Sequence, residues 1–149
     1  MIARSAAAKL LCGCLLVVVT ALPAAAEETK IWSALVLATN AKAPKAPPAE
    51  LAPFAGKLRV FGYNQFEIIG SHTEKVDDES NSWLLPSDDF FLGVKSQKGG
   101  NGEQLLDLKF YQNKRLLVET KARLGPRSPL FIRGPQYGQG RLIVVLLVR

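Results

Sequence analysis

Beyond residue 14 the sequence contains no cysteine. Whatever folds after that point has no disulfide, no thiol nucleophile and no thiolate metal ligand, so its stability rests on burial. Histidine is nearly as scarce, His72 being the single one. A catalytic zinc or copper centre held by several imidazoles is excluded. No Gly-x-Ser-x-Gly turn, no nucleotide P-loop and no internal repeat occurs, which leaves the common hydrolase and phosphate-loop signatures unrepresented.

The first 26 residues have the order of an export signal. Arg4 and Lys9 form a basic head, residues 10–22 are apolar and uncharged, and Pro23 breaks the run before Ala24, Ala25 and Ala26. At about 1.5 Å per residue that run spans roughly 20 Å, short of the roughly 30 Å hydrocarbon core a membrane anchor must cross. Lipidation at Cys12 or Cys14 is disfavoured because the apolar run follows these cysteines instead of preceding them. Removal of residues 1–26 leaves 123 residues, enough for one domain with a real core and too few for two.

The net charge of +6 hides an asymmetry. Residues 27–103 carry 8 Lys/Arg against 11 Asp/Glu, a net −3, whereas residues 104–149 carry 9 against 2, a net +7.

Hydrophobic periodicity predicts a mainly β chain. Residues 31–39 read as a strand buried on both faces, followed through residue 50 by an Ala/Lys/Pro connector stiffened by Pro44, Pro47 and Pro48. Leu51, Phe54, Leu58 and Phe61 recur at helical spacing, with Gly62 ending a short helix. From Tyr63 onward the period is two. Strands are expected over 64–73, 82–85, 90–96 and 129–133, and over 141–149, where residues 142–148 are apolar at every position, as in a central strand. A hairpin is expected around a three-residue loop, Gln112 to Lys114. That loop sets Phe110 opposite Leu116 and Leu108 opposite Val118, with Asp107, Lys109, Tyr111, Arg115, Glu119 and Lys121 outside; a two-residue loop would set Leu108 against Glu119. A longer connection is expected over 134–140. The whole fits a small antiparallel β-sandwich, or an open β-barrel with the helix plugging one end, residues 51–149 forming the β domain behind an N-terminal strand and linker at 27–50.

Candidate sites are few. Asp77, Glu79, Asn81 and Asp88 mimic a calcium loop, but Ser82 stands where glycine is needed for the sharp turn, Asp88 is too short for the bidentate position, and the flanks are strands. Ser71 and His72 are strand neighbours and point to opposite faces, so they cannot share a hydrogen bond. The acidic pairs Asp77/Asp78 and Asp88/Asp89 carry the alternative of a carboxylate-dependent hydrolase of envelope carbohydrate. The feature with functional reach is the basic last third. Lys109, Tyr111, Arg115, Lys121, Arg123, Arg127, Arg133, Tyr137 and Arg141 are candidates for one electropositive surface that attracts an anionic partner. The sequence thus predicts an exported, non-catalytic binding or assembly module of the bacterial periplasm or cell surface. Its partner would be an envelope component or another exported protein, without cofactor, nucleic acid or a transmembrane segment after processing; a structural subunit of a surface complex is the other reading. Processing is expected to yield a mature, unlipidated chain starting at Glu27. N-terminal sequencing or intact mass of exported protein checks it, and an acylated Cys14 terminus or an uncleaved chain is the contrary result.

Overall fold

The computed structural model describes residues 28–75, 81–84 and 89–149. Among these residues eight strands form two antiparallel four-stranded sheets. The first has the order β2-β1-β8-β7, from β1 (Lys30–Thr39), β2 (Gln65–Lys75), β7 (Leu130–Tyr137) and β8 (Gly140–Val148). The second has the order β3-β4-β5-β6, from β3 (Asn81–Leu84), β4 (Phe90–Lys98), β5 (Gln104–Gln112) and β6 (Arg115–Leu124). Among the described residues no ladder joins one sheet to the other, so the molecule is a sandwich and not a barrel.

The all-apolar β8 explains the layering. Its even side chains Leu142, Val144 and Leu146 enter the core between the sheets with Ile31, Leu35, Phe90, Leu92, Leu108 and Phe110. Its odd side chains Ile143 and Val145 enter a second core on the far face of the same sheet, with Trp32, Val36, Phe66, Leu51 and Leu58. The 3-10 turn Ala52–Phe54 and the short helix α1 (Ala55–Arg59) form the lid of that second core. Leu51 and Leu58 are fully buried there, Phe61 meets Phe131 edge-on at 6.3 Å, and Gly62 ends the helical segment at φ 91°. The helix therefore covers the outer face of the first sheet; it does not plug an end. β1, ahead of the Pro-rich connector, is an interior strand of this sheet between β2 and β8.

Three bulges set the registers, and the one in the β5–β6 hairpin corrects the register expected from the sequence. In the β5–β6 hairpin the loop is two residues, Asn113 and Lys114, with Gln112 opposite Arg115. Both loop residues have positive φ, 48° and 65°, the signature of a type I′ turn whose twist matches the strands. A register shift between Phe110 and Tyr111 leaves Leu117 as the extra residue, so Phe110 faces Val118 and Leu108 faces Thr120. The bulge, not an odd loop, keeps the apolar sets together. Leu116 consequently pairs with Tyr111 and stands 44% exposed on the outer face, while Arg115 falls on the inner parity at the hairpin tip. In β2 the shift at Leu35/Val36 leaves Ile69 unpaired. Phe66 and Ile68 thus serve the helix-side core, while Gly70, His72 and Glu74 turn to the inter-sheet side. In β7 the shift between Arg133 and Gln136 accommodates Gly134, where a Cβ would lie 2.9 Å from the Leu142 carbonyl oxygen. The strand then runs on to Tyr137, and the expected long connection is a tight turn at Gly138 and Gln139.

Two outcomes follow from this packing. Val144→Asp buries an unpaired charge between the sheets at a fully buried position, a cost of several kcal/mol against a total of about 5–15 kcal/mol for a small domain. The variant is expected not to fold, and a cooperative melt near that of the wild type is the contrary result. Lys114→Gly removes the Cβ penalty of a left-handed residue and is expected to stabilise the protein by roughly 0.5–1 kcal/mol, read as a raised denaturation midpoint with unchanged m-value.

Candidate anion-binding groove

The first sheet is covered on both faces, whereas among the described residues the second buries only the face that meets the inter-sheet core. On its other face three strands place side chains in cross-strand rows: Phe91, Tyr111 and Leu116; Gly93, Lys109 and Glu119; Lys95, Asp107 and Lys121; Gln97, Leu105 and Arg123. Directly opposed positions bring Cβ atoms to about 4.5–5.5 Å, so each row acts as a unit.

The rows differ in chemistry. Phe91 and Tyr111 stack with centroids 4.9 Å apart at 15°. Lys109 Nζ lies 3.4 Å from Glu119 Oε1, and hydrogen bonding and charge from Glu119 hold the ammonium above its ordinary pKa. That cation is locally matched. The last two rows form a groove of about 540 Å³ lined by Lys95, Gln97, Leu105, Asp107, Lys121 and Arg123. Central β5 supplies the floor, Leu105 and Asp107, and flanking β4 and β6 supply the walls. Lys95, Lys121 and Arg123 are exposed, while Asp107 is half-buried. Asp107 Oδ1 is buried and accepts no hydrogen bond from the described protein groups. Beneath the groove the inner face is closed by Ser96, whose hydroxyl donates to Gln104 Oε1 at 2.9 Å. Three cations around one carboxylate give the groove a net positive charge without making it uniformly basic.

The structure divides the basic residues that the sequence suggested as one surface. Lys109, Tyr111, Lys121 and Arg123 share the outer face of the second sheet. Arg115 sits at the tip of the β5–β6 hairpin. Tyr137 is on the inter-sheet side near that tip, its ring 5.9 Å from Phe90. Arg127 lies at the opposite end of the sandwich in a turn at φ 61°, beside Lys30 and Arg149. Arg133 and Arg141 belong to the far face of the first sheet; Arg141 Nη1 donates to the Gly134 carbonyl oxygen at 2.9 Å. No single surface holds all nine, because strand parity and sheet membership separate them.

Sequence reasoning missed Lys95, Gln97, Leu105 and Asp107. Lys95 and Gln97 lie in the acidic part of the chain, where regional charge gives no hint of them. The available signal was the alternation in β4 and β5, which sets Lys95 opposite Asp107 once the two strands are paired.

The other candidates are resolved in part. His72 Nε2 lies 2.8 Å from Glu74 Oε2, and Ser33, paired with His72 across β1 and β2, shares its face. The Ser33 hydroxyl is fully buried and donates to the backbone carbonyl of His72 at 3.3 Å, not to the ring, so it has neither the access nor the partner of a nucleophile. Of the calcium set, Asp77, Glu79 and Asp88 lie outside the described residues, as do Asp78 and the first carboxylate pair it completes. Asn81 is the first residue of β3, its backbone opposite Lys95. Among the described residues no three His, Cys, Asp or Glu side chains gather as a metal ion requires, and no helix is long and apolar enough to cross a membrane. Comparison of the chain with protein-family models, with curated proteins and with solved structures finds no match.

Proposed function

We propose that the protein is an exported binding module that holds an anionic ligand on the outer face of the β3-β4-β5-β6 sheet, in the groove between Lys95 and Arg123. The observation that carries this reading is the asymmetry of the sandwich. One sheet is sealed on both faces, and the other leaves a face on which Lys95, Lys121 and Arg123 converge. Cations placed on the walls of a concave site focus the field toward its centre, where an anion displaces condensed counterions on binding. The export signal read at residues 1–26 supports a ligand of the envelope or cell surface. The serine that shares a face with His72, Ser33, is fully buried, so this pair offers no exposed nucleophile.

The test is retention on isolated envelope material at low and at physiological salt. The wild type is expected to be held at low salt and released as salt rises. Lys121→Glu/Arg123→Glu reverses two walls of the groove at exposed positions, and is expected to abolish retention while melting within a few degrees of the wild type. The control Arg115→Glu/Arg133→Glu, with one reversal at the hairpin tip and one on the other sheet, makes the same change of charge away from the groove and is expected to retain binding. Equal elution of the wild type and Lys121→Glu/Arg123→Glu at every salt concentration, with both folded, overturns the proposal. Loss of retention in the control equal to that of Lys121→Glu/Arg123→Glu assigns the effect to net charge and overturns it as well.

A further inference from the structure

A purely electrostatic anion site has no use for a carboxylate at its centre. Asp107 stands there nonetheless, between Lys95 and Lys121 in one cross-strand row, with a buried Oδ1 that accepts nothing from the described protein groups. That oxygen is shut off from solvent, but the carboxylate it belongs to is half-buried and lines the groove, so the floor presents an acceptor among the cations. The groove therefore asks for a ligand carrying both a negative group for the walls and a hydroxyl or amide donor for the floor. Beside Asp107 the floor offers Leu105, 36% exposed, and the rim offers the Gln97 amide, which both donates and accepts. Apolar contact, hydroxyl donation and a carboxylate occur together on a sugar acid, whose ring presents a C–H face and whose hydroxyls flank the acid. Phosphates at a lipid surface or along a nucleic acid meet the protein as acceptors, and would set negative oxygens against Asp107.

Resting on the anion-binding reading above, we infer that the groove binds an acidic polysaccharide, with Lys95, Lys121 and Arg123 holding its carboxylates and Asp107 accepting a hydrogen bond from a sugar hydroxyl. The two roles respond oppositely to one substitution. If Asp107 is merely a negative charge in a positive groove, Asp107→Ala strengthens binding to every polyanion. If it accepts from a hydroxyl, the same change weakens binding to a carboxylated glycan while strengthening binding to a carboxylate polymer that has no hydroxyls.

The experiment compares wild type, Asp107→Ala and Asp107→Asn by titration with polygalacturonate, with polyacrylate matched in charge, with neutral dextran and with phosphatidylglycerol vesicles, each variant checked by thermal melting. The wild type is expected to prefer polygalacturonate over polyacrylate and vesicles, and to leave dextran unbound. Asp107→Ala is expected to lose about tenfold in affinity for polygalacturonate, the size of one hydrogen bond to a charged group, and to gain for polyacrylate. Asp107→Asn, which keeps one weaker acceptor, is expected to move the same way by less, and it decides the matter if Asp107→Ala does not fold. Gain for both polymers, loss for both, or preference for vesicles overturns the polysaccharide assignment while leaving an anion site in place. Binding of no polyanion by the wild type, or identical binding by Lys121→Glu/Arg123→Glu, removes the anion site itself.

Discussion

Everything in this sandwich depends on the ladder between β1 and β8. The two strands pair from Ile31 with Val148 to Ala38 with Arg141, and along it apolar side chains point to both faces of the sheet. Such a ladder cannot stand at a water-facing surface; it requires a layer above and a layer below. The second sheet is one layer, and the segment around Leu51 and Leu58 is the other. With only one short helix in the described chain, that cover is spent on the first sheet. Among the described residues the outer face of the second sheet has no such cover, and the groove lies there.

How much of this could be read from the sequence depended on the range of the signal. The doubly buried β8 was legible because Leu142 to Val148 is apolar at every position, and the helical lid because Leu51, Phe54, Leu58 and Phe61 keep one face. Registers were not legible where a bulge intervened. Leu117 as an extra residue turns Leu116 outward, and Ile69 moves His72 to the inter-sheet side. Each slip is one residue, invisible in a period of two yet decisive for which face a side chain meets. The basic third was visible as composition, but composition has no faces. Arg133 and Arg123 are alike in the sequence and lie on different sheets, while Lys95, from an acidic stretch, joins Lys121 through the pairing of β4, β5 and β6.

Charge placement within the second sheet shows two uses of the same residue type. Lys109 is held by Glu119 in its own row and contributes mainly to strand pairing, as a matched cross-strand pair does. One row further on, Asp107 faces Lys95 on one side and Lys121 on the other, and its buried oxygen meets no donor among the described protein groups. A face built only for solubility has no need of a half-buried carboxylate among cations, since exposed charges of mixed sign suffice. Matched charge in one row beside unmatched charge in the next is a difference that sequence order alone does not reveal.

The β1–β8 ladder also sets the order in which the protein can become itself. Ile31 waits for Val148, and the backbone N–H of Arg149 reaches back to the carbonyl of Lys30 at 2.8 Å. Until β8 has been synthesised, β1 has only β2 beside it, and a two-stranded ribbon is marginal in water. Contacts of such long sequence separation form late and slowly, because loop closure must precede any reward from burial. A growing chain with this topology can pair its second sheet early but cannot complete its first sheet until the last strand has been made.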